Sequence, residues 1–190
     1  MTLDGILPFA RNLLGKAASN GDIAVDATMG NGHDTLFLAN LVGSTGMVYA
    51  FDVQPDAVLN TKKRLEEHSL LDRAALFHKG HEQLHSCIPK GHHGKISAAI
   101  FNLGYLPGSD KTVVTKPDTT IEAISQLLPI MAQGGLIVLV IYHGHEKGKI
   151  ERDHLLNYVA QLDQKDVHVL KYQFINQKNS PPFIIAIEKR

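Results

Sequence analysis

Ile23-Ala24-Val25-Asp26-Ala27-Thr28-Met29-Gly30-Asn31-Gly32-His33-Asp34-Thr35 reads as a buried strand that ends in an acid, enters a glycine turn and opens a helix. A second apolar run follows, Met47-Val48-Tyr49-Ala50-Phe51-Asp52-Val53, and it too ends in an acid, Asp52. A strand, a glycine turn, a helix, a strand and a terminal acid form a nucleoside-binding unit. The glycines let the backbone approach a ligand, and the second acid accepts hydrogen bonds from ribose hydroxyls.

The rest of the chain narrows the class. It has 190 residues, enough for one domain spanning 1–190 with a sizeable core. Hydrophobic content is 44% and charged content 20%, as in soluble globular proteins. Lys+Arg and Asp+Glu are 19 each, so net charge does not advertise a nucleic-acid partner. Cys87 is the single cysteine, which fits a reducing compartment and leaves no zinc-type ligand spacing. Neither a signal sequence nor an apolar run of membrane-spanning length is evident, so a cytoplasmic protein is expected.

Periodicity predicts a helix over 3–19, strands over 23–27 and 46–52, and a helix over 34–41 between them. A helix starting near Pro55 runs to about 68, followed by a strand over 74–78 and a short helix over 82–87. Residues 96–101 form a fourth strand, apolar throughout. A long loop covers 102–118. A helix capped by Thr119 or Thr120, with Glu122 in its first turn, runs to Met131 and is stopped by Gly134-Gly135. A strand over 136–142, a loop over 144–149, a helix over 151–162 and strands over 167–174 and 182–188 complete the chain. The connection 175–181 is too short for a crossover helix, so the last two strands are antiparallel. Six alternating units closed by an antiparallel seventh strand resemble the class I S-adenosylmethionine-dependent methyltransferases. That resemblance implies a Rossmann-like α/β fold with helices on both faces of a mostly parallel sheet.

In that setting each motif acquires an expected role. Gly30-Asn31-Gly32-His33-Asp34 is the cofactor turn. The third glycine of a dinucleotide fingerprint is absent, as suits a turn that passes no pyrophosphate. Asp26 is placed to receive the cofactor's ammonium, directly or through water, and Asn31 and His33 lie on the same edge. Asp52 is the ribose ligand and Gln54 flanks the adenosine. No arginine stands here to take a 2′-phosphate. Gly80 and His81, after the third strand, are expected near the adenine.

Asn102-Leu103-Gly104-Tyr105 follows the fourth strand. It resembles the (Asp/Asn)-Pro-Pro-Tyr loop of amino-group methyltransferases, although Leu103 and Gly104 replace both prolines. There the Asn102 oxygen and the Leu103 carbonyl would hold an amine toward the cofactor's methyl, and Tyr105 would stack on the base. Tyr142-His143-Gly144-His145 supplies a second wall, with Tyr142 as a stacking ring and His143 as proton acceptor. Asp110 is the alternative acceptor. The histidines lack the carboxylate or cysteine partners of a metal site, and no metal is expected. Lys147, Lys149 and Arg152, just past this rim, are candidates for phosphate contacts.

Taken together, Asp26–Thr35, Phe101–Gly108, Tyr142–His145 and Phe174-Ile175-Asn176-Gln177 resemble the bacterial YtqB-like family, labelled rRNA methylase and assigned as MnmM, the tRNA 5-aminomethyl-2-thiouridine methyltransferase. The resemblance runs from the first helix to the last strand. It implies S-adenosyl-L-methionine as cofactor, the exocyclic amine of a modified wobble uridine in the tRNA anticodon as acceptor, and a homodimer. Other readings stay open on the residues alone: methylation of an rRNA base amine or a small-molecule amine, or a non-catalytic, cofactor-dependent RNA-binding module. An NAD-dependent oxidoreductase fits less well, because it lacks the terminal antiparallel strand.

Overall fold

A computed structural model describes residues 2–104 and 114–190. The chain opens with α1 (Ile6–Ala17), then β1 (Ile23–Asp26), α2 (His33–Val42), β2 (Met47–Asp52), α3 (Pro55–Glu67) and β3 (Ala74–His78). A short α4 (Leu84–Cys87) leads to β4 (Ile96–Leu103), α5 (Pro117–Ile130), β5 (Met131–Ile141), α6 (Glu146–Ala160), β6 (Val167–Tyr172) and β7 (Phe183–Lys189). The seven strands form one sheet in the order β3-β2-β1-β4-β5-β7-β6. β1 to β5 are parallel, whereas β7 runs antiparallel to both β5 and β6.

Both sheet faces are covered, which explains why the central strands are apolar without alternation. In β4, Ala98 and Ile100 pack with Leu14 of α1, Leu38 of α2 and Leu65 of α3 on one face. Ala99, Phe101 and Leu103 pack with Ile124 and Leu127 of α5 and Leu155 of α6 on the other. Each of these leucines is fully buried, which is worth roughly 1.5–3 kcal/mol apiece. Strand order reverses between β1 and β4, so the loops at their carboxyl ends diverge and open a crevice where such sheets bind ligands.

Boundaries around α5, β5 and α6 differ from expectation. α5 begins at Pro117 with Lys116 as its N-cap and Asp118 in its first turn, so neither Thr119 nor Thr120 caps it. Pro117 has no N–H to leave unpaired, which makes it a ready first helical residue. Gly134-Gly135 does not end that helix. The pair lies within β5, where the register against β4 shifts between the Ile96–Met131 and Ala98–Leu136 pairs; Gly134 adopts φ 76° in this bulge. α6 starts at Glu146 rather than 151, because His145 caps it, with Nδ1 accepting from the Gly148 N–H at 3.1 Å.

No helix among the described residues is long and apolar enough to cross a membrane.

Candidate functional site

A cavity of about 1480 Å³ opens at the carboxyl ends of β1, β2, β4 and β5. It exceeds the 300–1,000 Å³ typical of a single small-ligand pocket, so it has room for a cofactor and part of a second molecule. Its inner wall is the glycine turn. Gly30 (φ 50°) and Gly32 (φ 78°) both take left-handed backbone. A Cβ on Gly32 would stand 2.8 Å from the Thr61 Cα, so only glycine lets α3 close on the turn. The turn is tied down from three sides. Gly30 N–H donates to the Asp52 carboxylate at 3.0 Å, Thr61 Oγ1 donates to the Gly30 carbonyl at 3.2 Å, and Arg64 Nε donates to the Asn31 carbonyl at 2.6 Å.

Asp52 is on the wall, as predicted. Its second oxygen accepts the Gln54 N–H at 3.0 Å, which leaves each oxygen a further lone pair for a ligand hydroxyl. Gln54, Gly80 and His81 line the same wall. The His81 Nδ1–H donates to the Ala27 carbonyl at 3.0 Å, and burial pulls its pKa below the usual histidine value. The ring is thus neutral with its proton on Nδ1, and Nε2 is a buried acceptor without a partner among the described residues. Asn31 and His33 also line the cavity. Asn31 Oδ1 accepts from Asn60 Nδ2 at 3.1 Å, and His33 Nε2 lies 3.3 Å from the Arg64 guanidinium.

Asp26 is placed differently. It is fully buried behind the turn and is not part of the cavity wall. Its carboxylate accepts from the Thr35 hydroxyl at 2.6 Å and the Thr28 N–H at 3.2 Å. Burial, then the neighbouring Asp34 charge, pushes its pKa up to about 7. It braces the strand end instead of meeting an ammonium directly.

Asn102 and Tyr142 face each other across the β4–β5 rim, and both line the cavity. Asn102 lies within β4 rather than opening a loop, because the strand runs on to Leu103. Asn102 N–H donates to Thr28 Oγ1 at 2.7 Å, and Nδ2 donates to Asp34 at 2.9 Å. The Leu103 carbonyl accepts the Tyr142 N–H at 3.1 Å, which leaves it one further lone pair. Burial, and then the Asp34 charge, raises the Tyr142 pKa and keeps it a phenol.

His143 does not reach the site. It is 6% exposed and packs 5.4 Å from the Phe183 ring, off the cavity wall. Burial, followed by the Arg152 charge, lowers its pKa. Past the end of β5 the chain leaves the strand, and it is Tyr142, Gly144 and His145 that line the cavity. The basic trio also divides. Lys147 lines the cavity, while Lys149 pairs with Glu146 at 2.6 Å and Arg152 with Asp153 at 2.7 Å on the exposed side of α6. Spacings of two and five along a helix do not make a single stripe. Tyr105 and Asp110 lie outside the described residues. Among the described residues, no group of three or more His, Cys, Asp or Glu is placed to hold a metal ion.

The sequence reading missed Arg11. It reaches from α1 to Asp34 with Nε and Nη2 at 3.1 and 2.9 Å. No local signal marks it, because α1 precedes the whole nucleoside unit. Thr28, Lys116 and Ser180 on the wall were also missed. Ser180 follows Asn179 in a pair of left-handed, non-glycine residues (φ 65° and 49°) before Pro181.

Comparison with known proteins adds kinship. Residues 48–188 match the family described as "Putative rRNA methylase". An Arabidopsis thaliana protein named tRNA (mnm(5)s(2)U34)-methyltransferase, chloroplastic, is 34% identical over 183 residues, covering 89% of this chain. The chain spans 64% of the length of that plant relative. A "putative rRNA-methylase" from Clostridium thermocellum is 40% identical with a TM-score of 0.96, each chain covered in full. A Streptococcus mutans protein, described as a "putative methyltransferase" in complex with SAH, is 39% identical with a TM-score of 0.89 over 99% of both chains.

Proposed function

This chain belongs to the rRNA methylase family, and from that premise we propose that it transfers a methyl group from S-adenosylmethionine to the exocyclic amine of a 5-aminomethyl-2-thiouridine in the tRNA wobble position. The observation that carries the chemistry is the Asn102 amide. It sits at the carboxyl end of β4 on the cavity wall, with its nitrogen committed to Asp34 and its oxygen left as an acceptor. The substrate class follows the name of the plant relative, and the cofactor follows the SAH complex of the Streptococcus mutans relative.

The residues fit that cofactor. Asp52 offers lone pairs to ribose hydroxyls, and His81 Nε2 is a buried acceptor suited to an adenine amino group. Gly30, in left-handed backbone on the cavity wall, presents no side chain to the methionine moiety, and Gly32 lets α3 close behind the turn. S-adenosylmethionine supplies an electrophilic methyl carbon on a sulfonium. Asn102 Oδ1 would accept a hydrogen bond from the substrate amine and so direct its lone pair toward the methyl. Tyr142, held as a phenol, would wall the base. Most of the rate gain would come from alignment, which can be worth roughly 7–11 kcal/mol. A primary amine is largely protonated near neutrality, so its proton must leave before attack. His143 is not positioned to take it.

The tRNA would contact the rim that carries Lys147 and Lys116. A neutral 20.8 kDa domain offers limited surface to a polyanion, which favours a homodimer that joins two such rims. The test is methyl transfer from labelled S-adenosylmethionine to tRNA lacking the terminal wobble methyl, read by nucleoside mass analysis. A gain of one methyl on 5-aminomethyl-2-thiouridine supports the reading. SAH binding without transfer to this tRNA rejects the substrate assignment. Asn102→Ala should abolish transfer and largely spare SAH affinity; parallel loss of both would put Asn102 in the cofactor site.

A further inference from the structure

The oxygen of Asn102 can be offered to a substrate only if the amide is prevented from flipping. An asparagine at a cavity wall has two nearly isosteric orientations, one presenting an acceptor and the other two donors. A donor amide would repel an amine and leave its lone pair undirected. Asn102 itself carries nothing that chooses between them.

Asp34 makes the choice. Its side chain is 13% exposed, and its two oxygens are divided between partners. Oδ1 accepts both Nε and Nη2 of Arg11, at 3.1 and 2.9 Å, and Oδ2 accepts Asn102 Nδ2 at 2.9 Å. An ionised carboxylate only accepts, so the group facing it must be the amide nitrogen. Arg11 places a permanent positive charge and two N–H donors on the other oxygen. Arg11 is itself steadied by the Phe37 ring, 5.6 Å from its guanidinium carbon. The main chain of Asn102 is fixed separately, by its N–H bond to Thr28 Oγ1 at 2.7 Å.

We propose that Asp34, braced by Arg11, is the positioning residue that locks the Asn102 amide with its oxygen toward the substrate, so that the site accepts a nucleophile able to donate a hydrogen bond. This rests on the amine-methyltransferase reading given above and assigns a role within it. The relay Arg11–Asp34–Asn102 spans α1, α2 and β4, so the reacting corner depends on a helix that precedes the nucleoside unit. Asp34 is not a cofactor ligand in this account.

The experiment uses the full chain with Asp34→Asn, Asn102→Asp and the exchange of the two, Asp34→Asn with Asn102→Asp. Single-turnover transfer to tRNA, SAH affinity by calorimetry and the pH profile are measured for each. Asp34→Asn loses the acceptor-only partner, and transfer should fall on the order of 10- to 100-fold, the worth of one charge-assisted hydrogen bond. SAH affinity should change less than about threefold, because the bond lost is to a side chain off the cofactor. Asn102→Asp sets two carboxylates against each other and should fall at least as far. In the exchange, the amide now on α2 donates to the carboxylate now on β4. That carboxylate's free oxygen is again an acceptor, so transfer recovers above both single variants. A carboxylate facing the amine also holds its proton more tightly, so the acid limb of the profile moves to higher pH. A purely structural pair would recover stability without that movement.

Transfer by Asp34→Asn at the wild-type rate overturns the proposal. So does a parallel loss of SAH affinity, or an exchange variant no better than the worse single one. A wild-type protein that binds SAH and methylates no amine overturns the proposed function itself, and this role with it.

Discussion

The β1–β2–α3 corner and the β5–α6 corner stand at opposite ends of one cavity and are built by different means. At the first, backbone groups do most of the holding. Gly30 N–H, the Gly30 carbonyl and the Asn31 carbonyl are tied to Asp52, Thr61 and Arg64. At the second, side-chain direction decides what a ligand meets: Tyr142, His145 and Lys147 face in, and His143, Lys149 and Arg152 face elsewhere. A turn made of backbone tolerates little change at its glycines. A wall made of side chains can be altered one residue at a time.

The largest effect should come from Gly32→Ala. The added methyl meets the Thr61 backbone at 2.8 Å, and φ 78° disfavours any side chain. The combined cost is on the order of 2–4 kcal/mol, visible as lost SAH affinity in calorimetry and a lower melting temperature. A variant that binds SAH normally would show that the turn is not held by its backbone.

Asp26→Asn comes next. The folded protein keeps this carboxyl protonated up to about 7, whereas the unfolded chain releases its proton near 3.8. Stability from this group is therefore complete below the lower value and is lost as pH rises through the upper one. Asparagine can keep both the Thr28 and Thr35 bonds and carries no charge, so the variant should gain on wild type as pH rises from about 4 to 7. The gain should reach on the order of 2–4 kcal/mol by pH 8. Denaturant melts at pH 4.5 and 8 measure it, and parallel curves at both pH values would remove Asp26 from this role.

At the second corner the effects are smaller and separable. Lys147→Glu should weaken tRNA binding about three- to tenfold and lower the slope of log affinity against log salt by about one. Glu substitutions at Lys149 and Arg152 should do less, since neither side chain lines the cavity. Equal effects at all three positions would restore a single basic stripe. His143→Gln should change transfer by less than about threefold, with the pH profile unmoved, where loss of a general base would cost on the order of 10²–10⁴. A profile that flattens would return the proton-acceptor role to His143.

The contrast also explains what could be read from the sequence. The alternation of strands and helices, the antiparallel last strand and the glycine turn were legible, because apolar runs, glycines and strand-end acids are dictated by backbone geometry. Asp52 and Gly30 lie on the cavity wall, with Gly32 in the turn beside them. Asp26 was recognised as important, but its full burial behind the turn was not legible, since a strand-end acid does not reveal which way it faces. His143 and the pairings of Lys149 and Arg152 depend on where α6 starts. That start was hidden, because His145 caps it in a stretch with no serine, threonine or asparagine. Arg11 had no signal at all: its partner Asp34 lies a helix and a strand away, and only the folded sheet brings them together.

One further arrangement bears on how this site changes over generations. Thr115 N–H donates to the Gly104 carbonyl at 3.0 Å, Gly104 N–H donates to Thr115 Oγ1 at 3.0 Å, and Thr115 Oγ1 donates to the buried Glu151 at 2.6 Å. Glu151 also receives the Thr120 hydroxyl at 2.9 Å, which ties α5 and α6 to the same knot. The segment between 104 and 115 is thereby pinched shut at its base. The entropic cost of lengthening a closed loop grows only slowly, about 0.6 kcal/mol per doubling. Insertions or deletions there leave Asn102 anchored in β4 by its bonds to Thr28 and Asp34, so the connection can change length while that corner is inherited unchanged.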